Sequence, residues 1–473
     1  MLKDSAKGIA VNACRFIVAA TFIFSGYVKA IDPIGTQYKI HDYLAAVGLA
    51  DMVPDYITLS ASVALAALEF SLGIFLLFAI RRRLVSKLIL AFMAVMTAIT
   101  VWIAVANPVK DCGCFGDALI LTNGQTLAKN IFLLAAAIAI WRNPTAMVRF
   151  IGRTNQWIAI NYTIIYSLAT STYCLYTLPV FDFRPYHIGT DIPKAMEIPE
   201  GAEQPKFETT FTLKKNGITK EFTLDNYPDS TWTFVDSKTT QVSQGYVPPI
   251  HDFSMEDPTT GDDMTDDILS NPGYTFLLIS PHLENADDTN FGNINQIYDH
   301  ATAHHYRFVA LTASNKKAIE KWTDTTGAEY RFLFSDETTL KTIIRSNPGM
   351  LLLKGGKVIQ KWSHNELPDL NEDSPALDKT PEGHLPKMTT GEKIAYTILW
   401  FFLPLLLLTI ADRMWAWTKW IRRRSSKAEQ HNNPDSSEFS DNSETSELSE
   451  SSKLSETSEQ SEQSEQSESS EQS

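Results

Sequence analysis

The stretch Asp111-Cys112-Gly113-Cys114-Phe115-Gly116-Asp117 holds two of the chain's four cysteines, one residue apart, and lies between two long apolar runs. A Cys-x-Cys pair closes only a small ring, which strains a disulfide and makes it more oxidising and more easily reduced. Facing an oxidising compartment, the pair is a candidate redox centre at a membrane surface. A fixed structural disulfide and two idle thiols are the alternatives.

Outward from this loop, six apolar runs approach the roughly 20 residues that a membrane span needs. They lie near 9–28, 57–80, 84–106, 125–141, 156–179 and 394–411. The first reads as a span rather than a cleaved leader, because no small-residue cleavage site follows it. Charge sets the orientation. Lys3 and Lys7 precede the first run. Arg81, Arg82, Arg83 and Lys87 follow the second, and Arg142, Arg149 and Arg153 follow the fourth. Arg413, Lys419, Arg422, Arg423 and Arg424 follow the sixth. All fall on one side if the spans alternate, and the positive-inside rule makes that side cytoplasmic. Both termini are then cytoplasmic, and the loops 30–55 and 107–124 and the stretch 180–391 face outward.

The chain carries a formal net charge of −14. About eleven of those charges come from 425–473, where thirteen Asp and Glu residues stand against two Lys. The balance therefore says little about partners of the folded part. Four cysteines are too few for a disulfide-stapled scaffold. No Gly-rich phosphate loop, paired zinc-knuckle spacing or aromatic-laced basic stripe occurs, which leaves nucleotide and nucleic-acid roles unsupported. The Ser/Glu/Gln repeat of 425–473 cannot bury a core and is expected to be disordered.

Between the fifth and sixth spans the pattern predicts a soluble α/β domain. A hairpin comes first, with strands 207–213 and 218–224 around Asn216-Gly217, a type I′ signal that sets Phe211 opposite Phe222. From 250 onward strands alternate with helices: strands near 250–255, 274–280, 307–312, 331–335 and a hairpin over 350–362, with helices near 293–305, 316–325 and 337–345.

The first four spans resemble DoxX-like membrane proteins. Phe24-Ser25-Gly26-Tyr27-Val28-Lys29, Glu69 in the second span and Cys112-Gly113-Cys114-Phe115-Gly116 carry the resemblance, and the last element is similar to the MauE methylamine-utilisation branch. It covers residues 8–142 and implies a four-helix membrane bundle. MauE proteins are linked to maturation of a disulfide-rich periplasmic enzyme, and DoxX relatives to quinone-linked sulfur oxidation. The two extra spans, the large outer domain and the tail depart from that family. Residues 247–367 resemble a thioredoxin fold, with Pro348 at the place of its cis-proline and Gly355-Gly356 at the following turn. Where the redox Cys-x-x-Cys would stand, the chain has Ser280-Pro281-His282-Leu283, and the domain holds no cysteine. It can bind or scaffold but not exchange disulfides; His282 reads as a solvated loop residue.

Other residues are candidates for support. Glu69 near the centre of span two costs about 2.5–3.5 kcal/mol on insertion scales unless partnered. It is either a proton acceptor or quinone ligand, or half of a structural pair. Arg15 is a candidate counter-charge or a snorkelling cation. Lys29 and Asp32 share the outer side with Cys112 and Cys114. There Lys29 either lowers a thiol pKa or pairs locally with Asp32. Cys174 reads mainly as packing and Cys14 as inert. A metal site at the cysteine loop would need ligands such as Asp111, Asp117 or His41, and none is expected.

The expected architecture is an α-helical membrane bundle of six transmembrane helices with an extramembrane α/β thioredoxin-like domain and a disordered tail. Its segments are a four-helix domain (8–142), a fifth span (154–180), a hairpin-containing linker (181–246), the thioredoxin-like domain (247–367), a sixth span (392–412) and the tail (425–473). The functional expectation is a multi-pass inner-membrane protein of a Gram-negative cell, acting as a thiol–disulfide or quinone-linked redox component. Cys112 and Cys114 exchange electrons, Lys29, Asp32 and Glu69 support them, and a quinone is the candidate cofactor. The lipid bilayer and a periplasmic protein client are the expected partners, without nucleic acid. The alternative is a non-enzymatic accessory protein whose outer domain binds a client; a transporter is a distant third.

Overall fold

The computed structural model describes residues 2–109, 111–203, 206–215, 218–223, 233–243 and 245–432. The Asn216-Gly217 turn and the repeat beyond Asn432 lie outside them. The chain opens with helices α1 (Leu2–Ile31), α2 (Pro33–Ala46), α3 (Asp55–Leu77), α4 (Arg82–Ala106), α5 (Asn123–Arg142) and α6 (Gln156–Tyr176). A one-turn helix α7 (Ile192–Met196) and strands β1 (Lys206–Lys215), β2 (Ile218–Thr223) and β3 (Thr233–Ser243) follow. Then come α8 (Thr265–Leu269), β4 (Tyr274–Ser280), α9 (Phe291–Ala303), β5 (Arg307–Thr312), α10 (Lys316–Thr326), β6 (Arg331–Phe334), α11 (Glu337–Ile343), β7 (Gly349–Lys354), β8 (Lys357–Ser363) and α12 (Thr390–Asn432).

Among the described residues, five stretches are long and apolar enough to cross a membrane: Ala6–Ile31, Asp55–Leu77, Arg82–Ala106, Asn123–Arg142 and Thr390–Arg422. The expected fifth span, α6, is long enough but diluted by hydroxyl and amide side chains. Those hydroxyls lie inward. Ala159, Thr163, Ser167, Ser171 and Cys174 are buried at helical spacing, whereas Trp157, Ile165 and Tyr173 are exposed by 62%, 65% and 55%. Water would favour the reverse arrangement. Small and hydroxyl residues at the helix interface with large apolar ones outside are the habit of helices in lipid.

α1 and α3 cross closely because glycines let them. A Cβ on Gly26 would sit 2.3 Å from the Phe70 backbone nitrogen, and one on Gly73 2.7 Å from that of Ile23. α2 was expected to be a polar connector, and the structure corrects this. The Asp32 side chain accepts from Gly35 N at 2.9 Å and Pro33 occupies the first turn, a standard helix start. α5 opens on a capping box between Thr122 and Gln125.

The α/β domain centres on a five-stranded sheet in the order β6-β5-β4-β7-β8. β4, β5 and β6 are parallel, and β7 and β8 antiparallel. Alternate side chains of the central strand feed two cores. Phe276 and Leu278 pack with Ile294, Ile297 and Trp322 on one face. Leu277 and Ile279 pack with Ile192, Ile268, Leu340 and Ile343 on the other. Tyr186 and Ile192, before the expected domain start, and Leu370 and Leu377, beyond its expected end, join these cores. The expected strand at 250–255 is absent; only isolated bridges from Glu256 occur there. β1 pairs with both β2 and β3, and Phe211 faces Phe222 as the turn signal predicts. The third strand was not foreseen. The Asn347-Pro348 peptide is cis.

Residues 150–155 and 400–432 belong to a second compact unit. In it the Asp412 carboxylate accepts from Gly152 N at 2.7 Å and from Asn155 Nδ2 at 2.8 Å. α12 runs on to Asn432, so the first residues of the expected tail are helical.

Candidate functional site: a dithiol above a buried ion pair

The α1–α3 crossing sets Lys29 opposite Glu69. The Lys29 ammonium donates to Glu69 Oε2, Ser25 Oγ and the Cys114 carbonyl, each at 2.7 Å. Its three protons are thereby used. Ser25 Oγ in turn donates to the same Cys114 carbonyl at 2.6 Å. Losing either member of such a buried pair costs about 3–5 kcal/mol, because the other charge is stranded. The expected local Lys29–Asp32 pair does not form. Geometry favours the residue across the helix crossing, and Asp32 turns to another partner.

The cysteine loop is held from α2 as well. Tyr43 Oη donates to the Cys112 carbonyl at 2.6 Å, and Lys39 pairs with Asp111 at 2.9 Å. Gly113 has φ +61°, and a Cβ there would meet Lys39 Cγ at 2.9 Å, so glycine is required twice over. The result brings Cys112 Sγ within 2.6 Å of Cys114 Sγ.

Electrostatics separates the two sulfurs. The hydrogen bond from Cys114 pulls the Cys112 thiol below its ordinary value; burial opposes this, and the Cys114 backbone and the Lys129 charge reinforce it. Cys114 moves the other way: its hydrogen bond to Cys112 and its burial keep it protonated. Loss of the first proton from the pair is thereby eased and loss of the second opposed, which favours one thiolate beside one thiol. This is the arrangement of an attacking and a resolving thiol.

Below the loop lies a cavity of about 430 Å³. Lys29, Glu69, Cys112 and Cys114 line one end, and Phe92, Met93, Met96, Ile99 and Ile103 line much of the rest. Lys129, on α5, also lines it and lies over the Phe115 ring at 4.1 Å.

Asp32 joins the bundle to the α/β domain. Arg345, after α11, bonds both Asp32 carboxylate oxygens at 3.1 Å and reaches Asp117 at 3.2 Å. Its guanidinium lies against the Tyr38 ring of α2 at 5.3 Å. Burial raises the Asp32 pKa, but Arg345 and Arg184 outweigh it and hold the group below the usual carboxylate range. Thus one arginine ties down both the end of α1 and the segment just after Cys114.

The remaining candidates fall elsewhere. Arg15 neither balances Glu69 nor snorkels. It is fully buried and donates to the Leu76, Leu77 and Val148 carbonyls and to Asn12 Oδ1. The C-terminal carbonyls of α3 need donors, and Arg15 supplies them. Cys174 packs with Ile31 and Phe181, and Cys14 against the bundle core. His282 pairs with Glu337 at 2.9 Å on the surface of the α/β domain. Asp111 and Asp117 are engaged by Lys39 and Arg345. No cluster of three His, Cys, Asp or Glu fit for a metal occurs among the described residues. Sequence reasoning missed Ser25, Lys39, Tyr43, Lys129 and Arg345 as parts of the site. Ser25 was findable, standing one turn before Lys29 on the same helix face. For Arg345 there was no signal, since its partners Asp32 and Asp117 are 313 and 228 residues away.

Residues 207–244, which span β1 to β3, match the family model described as Domain of unknown function (DUF8463). Neither curated proteins nor solved structures gave a match to the chain. Residues 7–142 match the family model of the methylamine utilisation protein MauE, and this part of the chain is a MauE-like membrane region.

Proposed function

We propose that this protein is a membrane thiol–disulfide component in which Cys112 and Cys114 gain and lose two electrons. The observation that carries the reading is the sulfur pair itself: Cys112 Sγ and Cys114 Sγ in direct contact, on a loop fixed from α1 and α2. Oxidation removes two protons and two electrons and forms one S–S bond; reduction by a client's dithiol reverses it and oxidises the client. Glu69 and Lys29 support the loop, Lys29 through the Cys114 carbonyl.

The setting proposed is a bacterial inner membrane with both termini cytoplasmic and the cysteine loop and α/β domain periplasmic. The one-sided clustering of Arg and Lys supports it, as does the lipid-like facing of α6, which restores an even number of spans. The α/β domain is read as thioredoxin-like on its strand order and the turn at Gly355-Gly356 that joins β7 to β8. Lacking cysteine, it serves as a cover or docking module. A second reading has its own support: the Arg345 bridge to Asp32 and Asp117 suits an accessory protein that presents this domain to a periplasmic client without redox turnover.

Mapping disulfides in the purified chain distinguishes the two. After reduction and treatment with diamide, the redox reading expects one bond joining Cys112 to Cys114. Two thiols that stay free under diamide favour the accessory reading. A membrane-impermeant thiol reagent should reach the reduced loop from the periplasmic side; labelling only from the cytoplasm overturns the orientation.

A further inference from the structure

We infer that residues 368–384, the strap between β8 and α12, form a clasp that His300 and His304 hold closed at neutral pH and release in acid. The inference stands apart from the dithiol and does not depend on its redox reading. The strap contributes no strand to the sheet, and ring side chains fasten it. His300 Nδ1 meets the Asn371 carbonyl at 3.0 Å, and His304 Nε2 meets the Ser374 carbonyl at 2.8 Å. Leu377 N donates to Tyr306 Oη at 3.1 Å, and Tyr274 Oη donates to the Gly383 carbonyl at 3.0 Å. Leu370 and Leu377 of the strap plug the core that holds Phe276 and Ile297.

The partners settle where each ring carries its proton. A carbonyl only accepts, so His300 is protonated on Nδ1 and His304 on Nε2. That leaves His300 Nε2 bare. His300 is fully buried, and this nitrogen has no hydrogen-bond partner among the described residues. A second proton would have to go there, as a charge with neither water nor an acceptor. The His304 ring lies 4.5 Å away, centroid to centroid. Burial lowers the His300 pKa from its ordinary value; the bond to Asn371 opposes this and the His304 charge reinforces it.

Rings and a cation surround the pair. Tyr306 stacks on His304 at 5.6 Å, Tyr274 packs edge-on against Tyr306 at 5.3 Å, and Lys354 lies over the Tyr274 ring at 4.5 Å. Asp369, Glu372, Asp373, Asp378 and Lys379 of the strap are exposed to solvent, as are Asp299 and His305. The open form therefore binds the extra proton more readily than the closed one. The clasp is at full strength above the ordinary imidazole value of about 6.5 and weakens as pH falls through it. One imidazole that is protonated only when the strap is open makes opening about tenfold more frequent at pH 5.5 than at pH 7.5. Opening uncovers apolar surface around Leu370 and Leu377 and slackens the link to α12, so that the α/β domain senses acid on its own side of the membrane.

The test is hydrogen exchange of the full chain in detergent at pH 7.5 and pH 5.5, corrected for the intrinsic rate. Protection of peptides covering 370–384 should fall about tenfold in acid while that of β4 holds. His300→Asn puts an amide N–H where Nδ1–H stands and cannot titrate, so it should keep the strap equally protected at both pH values. His304→Gln keeps a donor for Ser374 and removes the neighbouring charge, so it should shrink the fall. Unchanged protection in the unsubstituted chain overturns the inference. So does a fall that β4 shares, or one that His300→Asn retains. If His300→Asn leaves the strap open at both pH values, His304→Gln decides, and an undiminished fall there overturns the clasp.

Discussion

The MauE-like bundle and the α/β domain bury opposite things. In the sheet domain the interior is apolar, with Phe276, Ile279, Leu311 and Leu352 inaccessible on alternate faces of adjacent strands. In the bundle Arg15, Lys29, Glu69 and the hydroxyls of Ser62, Ser86 and Thr163 are buried, while Ile9, Val105 and Trp157 stand exposed by 69%, 83% and 62%. The physical cause is the surrounding solvent. A domain in water gains by hiding hydrocarbon, about 25 cal/mol per Å². A bundle in lipid gains nothing from that, and its polar groups must find partners inside. The difference teaches where chemistry can be kept: in the bundle's interior charges, thiols and an apolar cavity meet.

This contrast can be broken at four points, in falling order of effect. Cys112→Ser and Cys114→Ser should each abolish disulfide formation within the loop while leaving the amount of protein in the membrane unchanged, as quantified by blotting and thiol mapping. A fall in abundance instead would make the pair structural. Arg345→Ala should destabilise the chain by about 3–5 kcal/mol, because Asp32 and Asp117 lose their shared cation. Thermal unfolding reads this, and adding Asp32→Asn should recover part of the loss. A neutral Arg345→Ala would mean that the two regions are not energetically joined there. Leu352→Ala should cost about 3 kcal/mol through the cavity it leaves, yet leave alkylation of Cys112 in the surviving folded protein unaltered. A changed thiol reactivity would show that the sheet core, and not only Arg345, sets the loop.

The smallest effect concerns pH. Alkylation of Cys112 should be half-maximal below the roughly 8.5 of a free thiol, since its thiolate is the reacting form. Lys129→Met removes a positive charge, disfavours the thiolate and should move that midpoint upward, by less than about one unit. An unshifted or lowered midpoint contradicts the role given to Lys129. A wild-type midpoint near 8.5 would contradict the hydrogen bond from Cys114.

What the sequence disclosed follows the same division. Strands 274–280 and 307–312 were legible to the residue, because a buried parallel strand is a continuous apolar run bounded by turns. The helices α3, α4 and α5 were legible from length and apolarity. α2 was missed although its Asp32-Pro33 start was readable, since this short helix between spans has neither an apolar run nor a strong helical periodicity. The strand expected at 250–255 failed because Phe253 and Met255 are buried as anchors without a ladder partner. In the site, Cys112, Cys114, Lys29 and Glu69 were legible one by one. Their grouping was not, because it depends on Gly26 and Gly73 letting two helices touch. Arg345 and the cavity belong wholly to the tertiary structure.

Differential alkylation of Cys112 and Cys114 in isolated membranes, before and after a reductant and again after its removal in air, tests the central claim most directly. Two thiols masked at first, released together by the reductant and masked together again on reoxidation, with the change mapped to a bond between Cys112 and Cys114, is the predicted result. Thiols that keep one state through all three treatments would contradict the account and leave the loop a fixed part of the bundle.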